Sequence, residues 1–275
     1  MPHLFHATPQ QNRYYAWFSA LHTRIDLLFL GSLSESDFQA GEEAVRAELL
    51  AVEKMGNRFD PDSELSRAVA AANALSSSLS SAPCDASLAK NPQPSALSPS
   101  LYSLLARCLC ANRETDGLFD ITVNTPDYHP GLINAVQLSP FPDSPGGTLS
   151  FHHASLPSIT GGVPKGRGGS SLILDLSGIL KGYALERLRV LLPTLGIKDA
   201  LINLGNSSIL SLGHNPSDIP SGHCLTTSGN ATPDRRHIRN PLTGEFITGQ
   251  RQVSVTTADA IEGEILATVA FIRGY

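Results

Sequence analysis

The chain has 275 residues, 41% hydrophobic and 16% charged, with a formal net charge of −5. That composition fits a globular chain able to bury a sizeable core, as one large domain or two intertwined subdomains. The acidic balance and the lack of a Lys/Arg cluster argue against a nucleic-acid or anionic-membrane partner, and no run reaches the 18 or more apolar residues of a membrane span. In chain order, "TRIDLLFLG" (23–31) reads as a strand ending in glycine. "SESDFQAGEEAVRAELLAVEKMGNRFD" follows as an amphipathic helix with Phe38, Val45, Leu49 and Val52 on one stripe and Ser36 or Asp37 as its cap. "DPDSELSRAVAAAN" is a turn leading into a short helix, and the Ser/Ala/Pro-rich residues 76–99 read as a loop. "SPSLYSLLARCLCANRETDG" is a helix that starts near Ser98 and is closed by Gly117.

From about Pro126 to Gly169 the chain is dense in Pro, Gly, Ser and His and reads as an elaborated loop or hairpin set, with a brief strand candidate at "TLSFHHAS". Order returns with "SSLILDL" (170–176) as a strand and "SGILKGYALERLRVLLPTLG" (177–196) as a helix. "DALINLG", "SSILSLG", "CLTTSGNA" and "RQVSVTTA" are strands, and "DAIEGEILATVAFI" is the last helix. Long helices set between antiparallel strand candidates predict an α+β fold with mixed, largely antiparallel sheets and inserted helices. Cys84, Cys108, Cys110 and Cys224 form no C-x-x-C pair and no zinc spacing, so they read as free thiols. The N-terminal stretch lacks a basic region followed by an apolar core, which gives the expectation of a cytoplasmic protein, or of an exported one whose leader is missing from the sequence.

Three stretches carry chemistry. In "DLSGILKG" (175–182) a strand passes into a helix through Ser177 and Gly178, so unpaired backbone N–H groups point outward at the turn. Such a start accepts phosphate, and a lysine in the first turn, Lys181, opposes the helix dipole unless an anion meets it. The plain alternative is a solvated lysine with Gly178 and Gly182 permitting close helix packing. On the last helix, Glu264 and Thr268 stack at i, i+4 and offer oxygen ligands of the kind Mg²⁺ takes, or else form an ordinary polar stripe. "HIRNPLTG" (237–244) is a strong turn signal, with His237 at an expected strand end as a candidate base, or as a partner for a turn carbonyl.

These pieces occur in order with "FSALHTRIDL", "NRFDPDSELSR", "TDGLFDITV", "ALINLGNSSILSLG", "TTSG" and "SVTTADAIEGEILATVAF". Together they resemble the FAD:protein FMN transferases, the ApbE family. The resemblance covers most of residues 17–273, lapses in the loops at 76–96 and 127–169, and implies one ApbE-like domain over residues 1–275. It implies that Asp175 and Lys181 contact FAD and that the Gly178 carbonyl approaches the metal. It places Gly117, Leu118 and Phe119 along the flavin nucleotide, Phe59 as an aromatic packing on the cofactor, Leu21 in an "MGT"-like segment and Ile238 beside the FAD site. The family's metal-binding D-x-x-x-T is here Glu264 and Thr268, a carboxylate reaching about 1.5 Å further. "LGNSS" stands where many members have "GGD".

The implied activity is Mg²⁺-dependent transfer of FMN from FAD to a Thr or Ser hydroxyl of an acceptor flavoprotein, with release of AMP. In that reaction Lys181 and His237 are the catalytic candidates, and Glu264, Thr268 and Gly178 hold the metal. The same residues also suit an FAD pyrophosphatase that uses water as nucleophile, and a non-catalytic FAD-binding protein.

Overall fold

The structure is a computed structural model that describes residues 4–8, 12–81, 95–152 and 171–275. Residues 82–94 of the expected Ser-rich loop lie outside the described residues, as do Cys84 and residues 153–170. The chain divides into two compact units, residues 1–54, 177–238 and 247–275 in the first and residues 55–176 and 239–246 in the second.

The first unit is built on seven strands: β1 (Leu4–Thr8), β2 (Arg13–Ala20), β3 (Thr23–Leu30), β7 (Asp199–Leu204), β8 (Ser208–Leu212), β9 (Cys224–Asn230) and β10 (Arg251–Thr257). They form one sheet in that order, and every pairing in it is antiparallel. Period-2 alternation sends Tyr14, Ala16 and Phe18, Ile25, Leu27 and Phe29, Ala200, Ile202 and Leu204 to one buried face. Helix α1 (Glu35–Gly56) sets Phe38 against Tyr14 and Phe29, with ring centroids 5.4 and 5.5 Å away. Its cap is Ser34 rather than Ser36 or Asp37. The Asp37 amide donates to Ser34 Oγ at 3.1 Å and the Ser34 amide donates to Asp37 Oδ2 at 3.2 Å, a reciprocal capping box.

Strand β2 is not announced by the sequence pattern; Tyr15 and Trp17 on the other face hide its alternation. The two-residue turn joining β2 to β3 puts Leu21 and His22 at φ +50° and +57°. A type I′ turn needs this geometry and ordinarily recruits Asn or Gly. The Leu21 amide donates to Glu53 Oε2 at 3.3 Å, and His22 Nε2 lies 3.6 Å from Glu53 Oε1, so α1 holds the strained tip. Helices α4 (Leu180–Thr194) and α5 (Ala260–Arg273) lie against each other, with α4 also against β8 and α5 against β9 and β10. Asp259 caps α5 through the amides of Ile261 and Glu262, while Glu186 of α4 accepts from the Ala260 amide at 2.7 Å.

The second unit holds α2 (Glu64–Ser81), α3 (Pro99–Glu114) and a three-stranded antiparallel sheet of β4 (Ala96–Leu97), β6 (Gly147–Phe151) and β5 (Val136–Pro140). The last two strands form a hairpin within the stretch from about Pro126 to Gly169 expected as a loop or hairpin set. Ser98 caps α3 as expected, accepting from the Leu101 amide at 3.2 Å. Helix α2 runs further than "DPDSELSRAVAAAN", into residues expected as loop, and Ser77 returns its hydroxyl to the Asn73 carbonyl at 2.9 Å.

The strand expected at 170–176 is absent: residues 171–176 belong to neither sheet. Leu172, Leu174 and Leu176 are buried in strand-like alternation, but the segment's amides are met by single groups from distant parts of the chain rather than by a neighbouring strand. The Leu172 amide donates to Asn73 Oδ1 at 2.9 Å, that of Ile173 to Thr125 Oγ1 at 3.0 Å and that of Asp175 to the Ile121 carbonyl at 2.7 Å. Among the described residues Cys108, Cys110 and Cys224 are free thiols. No helix of the described residues is long and apolar enough to cross a membrane.

Candidate active site

In the first unit, Lys181, His237, Ile238, Gly178, Glu264 and Thr268 can be followed from their elements. Helix α4 begins at Leu180, three residues later than "SGILKG" suggested, with Ile179 at the N-cap and no side-chain cap. Lys181 is therefore still in the first turn. Its half-buried ammonium donates to Ser207 Oγ, and its charge reaches Glu264.

Glu264 is 4% exposed, on the face of α5 that meets the sheet. Its Oε1 accepts from Ser208 Oγ at 2.6 Å, and the first-turn amide of Gly182 also donates to its carboxylate. Burial pushes this carboxyl above the ordinary range; Lys181, Ser208 and Gly182 pull the other way and lose. Thr268, one turn on, shares a 3.1 Å hydrogen bond with Ser228 of β9. Ser208 and Thr226 are direct cross-strand partners, and Ser228 lies two residues beyond Thr226 on the same face. Thr226 Oγ1 is buried with no hydrogen-bond partner among the described residues. A carboxylate, an ammonium and five hydroxyls thus gather between α4, α5 and β8–β9.

Two glycines allow this approach. A Cβ on Gly263 would sit 2.7 Å from Thr257 Oγ1 and 2.8 Å from Thr226 Oγ1. A Cβ on Gly182 would sit 2.5 Å from the Ala260 carbonyl oxygen and 2.7 Å from Glu264 Cγ. The backbone carbonyl has no way to swing aside, so Gly182→Ala forces α4 and α5 apart. The expected cost is about 1–3 kcal/mol, or a melting-point fall of roughly 3–10 °C, read by thermal denaturation. Gly178→Ala is the control, because nothing lies within 4 Å of its Cβ position; an unchanged melting point for Gly182→Ala contradicts the packing account.

His237 does not end a strand. β9 stops at Asn230, and residues 235–238 carry no secondary structure before the Arg239–Phe246 bridge. The side chain reaches solvent, yet partial burial of the ring, then the charges of Arg235 and Lys181, hold its conjugate acid below the ordinary histidine range. The imidazole is therefore a neutral acceptor near pH 7. Ile238 is half-buried, and its carbonyl accepts from the Ile247 amide at 2.9 Å. The turn that follows is as expected: the Gly244 amide donates to the Asn240 carbonyl at 2.7 Å with Gly244 at φ +74°.

The second unit carries the remaining candidates. "TDGLFD" first of all ends α3, with Asp116 and Gly117 at φ +53° and +83° and the Gly117 amide donating to the Asn112 carbonyl at 2.8 Å. Leu118 and Phe119 are buried. Asp175 is 9% exposed; its Oδ2 accepts from Asn124 Nδ2 at 2.7 Å and lies 2.9 Å from Arg58 Nε. Arg58 in turn stacks 4.0 Å over the ring of Phe59, which is 66% exposed. Asp120 Oδ1 accepts from the Thr122 amide at 2.7 Å and hydroxyl at 2.6 Å, and Tyr128 Oη lies 3.0 Å from its Oδ2. Burial raises the carboxyl of Asp120 and the phenol of Tyr128.

Sequence reasoning missed Ser207, Ser208, Thr226 and Ser228. The signal for three of them was the buried parity of "SSILSLG" and "CLTTSGN", where hydroxyls fall among apolar residues.

The model of the ApbE family matches residues 21–275. The flavin transferase ApbE from Vibrio cholerae is similar in structure, with a TM-score of 0.68 at 19% identity over 96% of this chain and 87% of that one. The ApbE protein from Thermotoga maritima gives 0.66 at 19% identity over 94% and 86%. The apo flavinyl transferase ApbE of Pseudomonas stutzeri gives 0.64 at 17% over 96% and 87%. At these identities the likeness is one of fold. No curated protein sequence matches the chain.

Proposed function

The chain belongs to the ApbE family, and from that premise we propose that it is a flavin transferase, moving FMN from FAD onto a Thr or Ser hydroxyl of an acceptor flavoprotein and releasing AMP. The observation that carries this reading is the buried Glu264 carboxylate, bonded by the Ser208 hydroxyl and within reach of the Lys181 charge. A buried carboxylate in this state is costly to a protein unless a cation uses it.

The donor set fits Mg²⁺. One carboxylate and several hydroxyls, without thiolate or imidazole, suit a hard cation that takes few protein ligands and keeps water and phosphate oxygens. The buried, unpartnered Thr226 Oγ1 supports the same assignment. Glu264 and Thr268 would hold the ion, with the Gly178 carbonyl as the third ligand implied by the family. Bound there, it supplies Lewis-acid neutralisation of phosphate charge.

The residues divide the remaining work. Lys181 offsets charge on the pyrophosphate from a fixed, half-buried position. The acceptor hydroxyl oxygen attacks the phosphorus on the FMN side, the bond from that phosphorus to the AMP phosphate oxygen breaks, and AMP leaves carrying that oxygen. His237, neutral near pH 7, takes the hydroxyl proton at an imidazole nitrogen. Asp175, whose carboxylate meets Arg58 and Asn124, is a proposed FAD contact. Phe59 offers an exposed ring for the flavin, while Leu21, Gly117, Leu118, Phe119 and Ile238 complete the proposed cofactor contacts.

The test is incubation with FAD, Mg²⁺ and a Thr-bearing acceptor flavoprotein, read by intact mass and by AMP release. Covalent FMN on the acceptor in step with AMP is expected. Free FMN and AMP without acceptor would make the protein a pyrophosphatase, and bound FAD without turnover a binding protein.

The role of His237 has its own test. Because its conjugate acid is held below about 6.5, the ordinary histidine value, the base form persists below that pH. The acid limb of kcat/KM, which reports the free enzyme, is expected to have its midpoint below about 6.5. Arg235→Ala removes one repelling charge and moves that midpoint up. A midpoint that ignores Arg235→Ala assigns the limb to another group.

A further inference from the structure

We propose that Ser208 is a positioning residue that fixes the Glu264 carboxylate for cation binding, an assignment that rests on the reading of Glu264 as the cation-holding group. Ser208 opens β8, whose other residues of the same parity, Leu210 and Leu212, are buried and apolar. A fully buried hydroxyl at the head of that stripe is costly unless it is bonded. It is bonded to one group that matters: Ser208 Oγ donates to Glu264 Oε1 at 2.6 Å.

A glutamate side chain has three torsions and, in a site this buried, two anchors. Ser208 grips it from the sheet, and the Gly182 amide grips it from the first turn of α4. Each donor satisfies part of the carboxylate without neutralising it, which orients a cation ligand while leaving its charge in place. The hydroxyl of Thr226, the residue paired directly across from Ser208, remains unpartnered among the described residues on the same sheet face. Ser208 thereby decides which way the carboxylate points on the surface where Thr226 and Ser228 also lie.

The stem length makes this role separable from simple packing. In a Glu264→Asp variant the carboxylate would end about 1.5 Å short of its present place, beyond hydrogen-bond reach of Ser208 Oγ. Ser208 therefore matters to the cation only while residue 264 is a glutamate.

The experiment measures Mn²⁺ binding to the FAD-loaded protein, by the EPR signal of free Mn²⁺, in wild type, Ser208→Ala, Glu264→Asp, the Ser208→Ala/Glu264→Asp double variant and Glu264→Gln. Ser208→Ala is expected to weaken Mn²⁺ about tenfold in the wild-type background, the usual scale for a residue supporting a ligand, and less than about twofold in the Glu264→Asp background. Equal losses in both backgrounds, or none in the first, overturn the assignment of Ser208. If Glu264→Gln still loses the ion in that case, the reading of Glu264 stands alone. If Glu264→Gln binds Mn²⁺ like wild type, the reading of Glu264 falls, and the role of Ser208 with it.

Discussion

Glu264→Gln is expected to lower FMN transfer by about two to three orders of magnitude, the scale for removing a main source of transition-state charge stabilisation. The substitution keeps shape and keeps an acceptor for Ser208, so the loss would be one of charge. Its stability signature runs the other way. Burial raises the folded-state carboxyl of Glu264 above its unfolded value, so the folded state binds more protons there. Ionisation at neutral pH then costs stability; the cost is absent below the unfolded value and grows as pH rises through the folded one. Gln removes that cost. Without metal, Glu264→Gln should melt no lower than wild type at pH 7. Full activity, or a clear loss of stability, would remove Glu264 from the centre of the account.

Lys181→Ala is expected to reduce kcat by about 10²-fold or more and to raise KM for FAD, with little change in melting. The ammonium bonds the Ser207 hydroxyl and takes no part in a backbone ladder, so the fold loses little. It is also one of three influences that oppose the upward push of burial on the Glu264 carboxyl. Its removal should therefore move the pH optimum of the residual activity upward, since a higher pH is needed to keep the carboxylate charged. Lys181→Met with unchanged kcat, assayed beside Lys181→Ala, would contradict a role in charge stabilisation.

Much of the fold is written locally in the chain. Amphipathic periodicity places α1, α3, α4 and α5, and the four strands after Leu195 follow from short alternating runs between glycine-bearing turns. The antiparallel α+β class follows from their order. Strand β2 hides because Tyr15 and Trp17 on its outer face blur the alternation of apolar and polar residues. Residues 171–176 mislead in the opposite sense: Leu172, Leu174 and Leu176 alternate like a strand, but the segment's partners are Asn73, Thr125 and Ile121, far away in sequence.

The site shows the same division. Spacing on one helix is enough to put Glu264 and Thr268 on a common face, and a lysine at a helix start is enough to call for an anion. What answers those two side chains depends on strand register. Only the Ser208–Thr226 pairing, and the glycine-permitted closeness of α5 to the sheet, bring the hydroxyls to Glu264 and Thr268. The resemblance points to Asp175 as a cofactor contact, and the structure gives its carboxylate to Arg58 and Asn124, a pairing that spacing along the chain does not reveal.

The most direct measurement is a crystal structure of the protein soaked with FAD and Mg²⁺. The account predicts pyrophosphate density beside Lys181, with an ion on Glu264 and Thr268. Pyrophosphate bound away from Lys181, or an ion held by other residues, would contradict it.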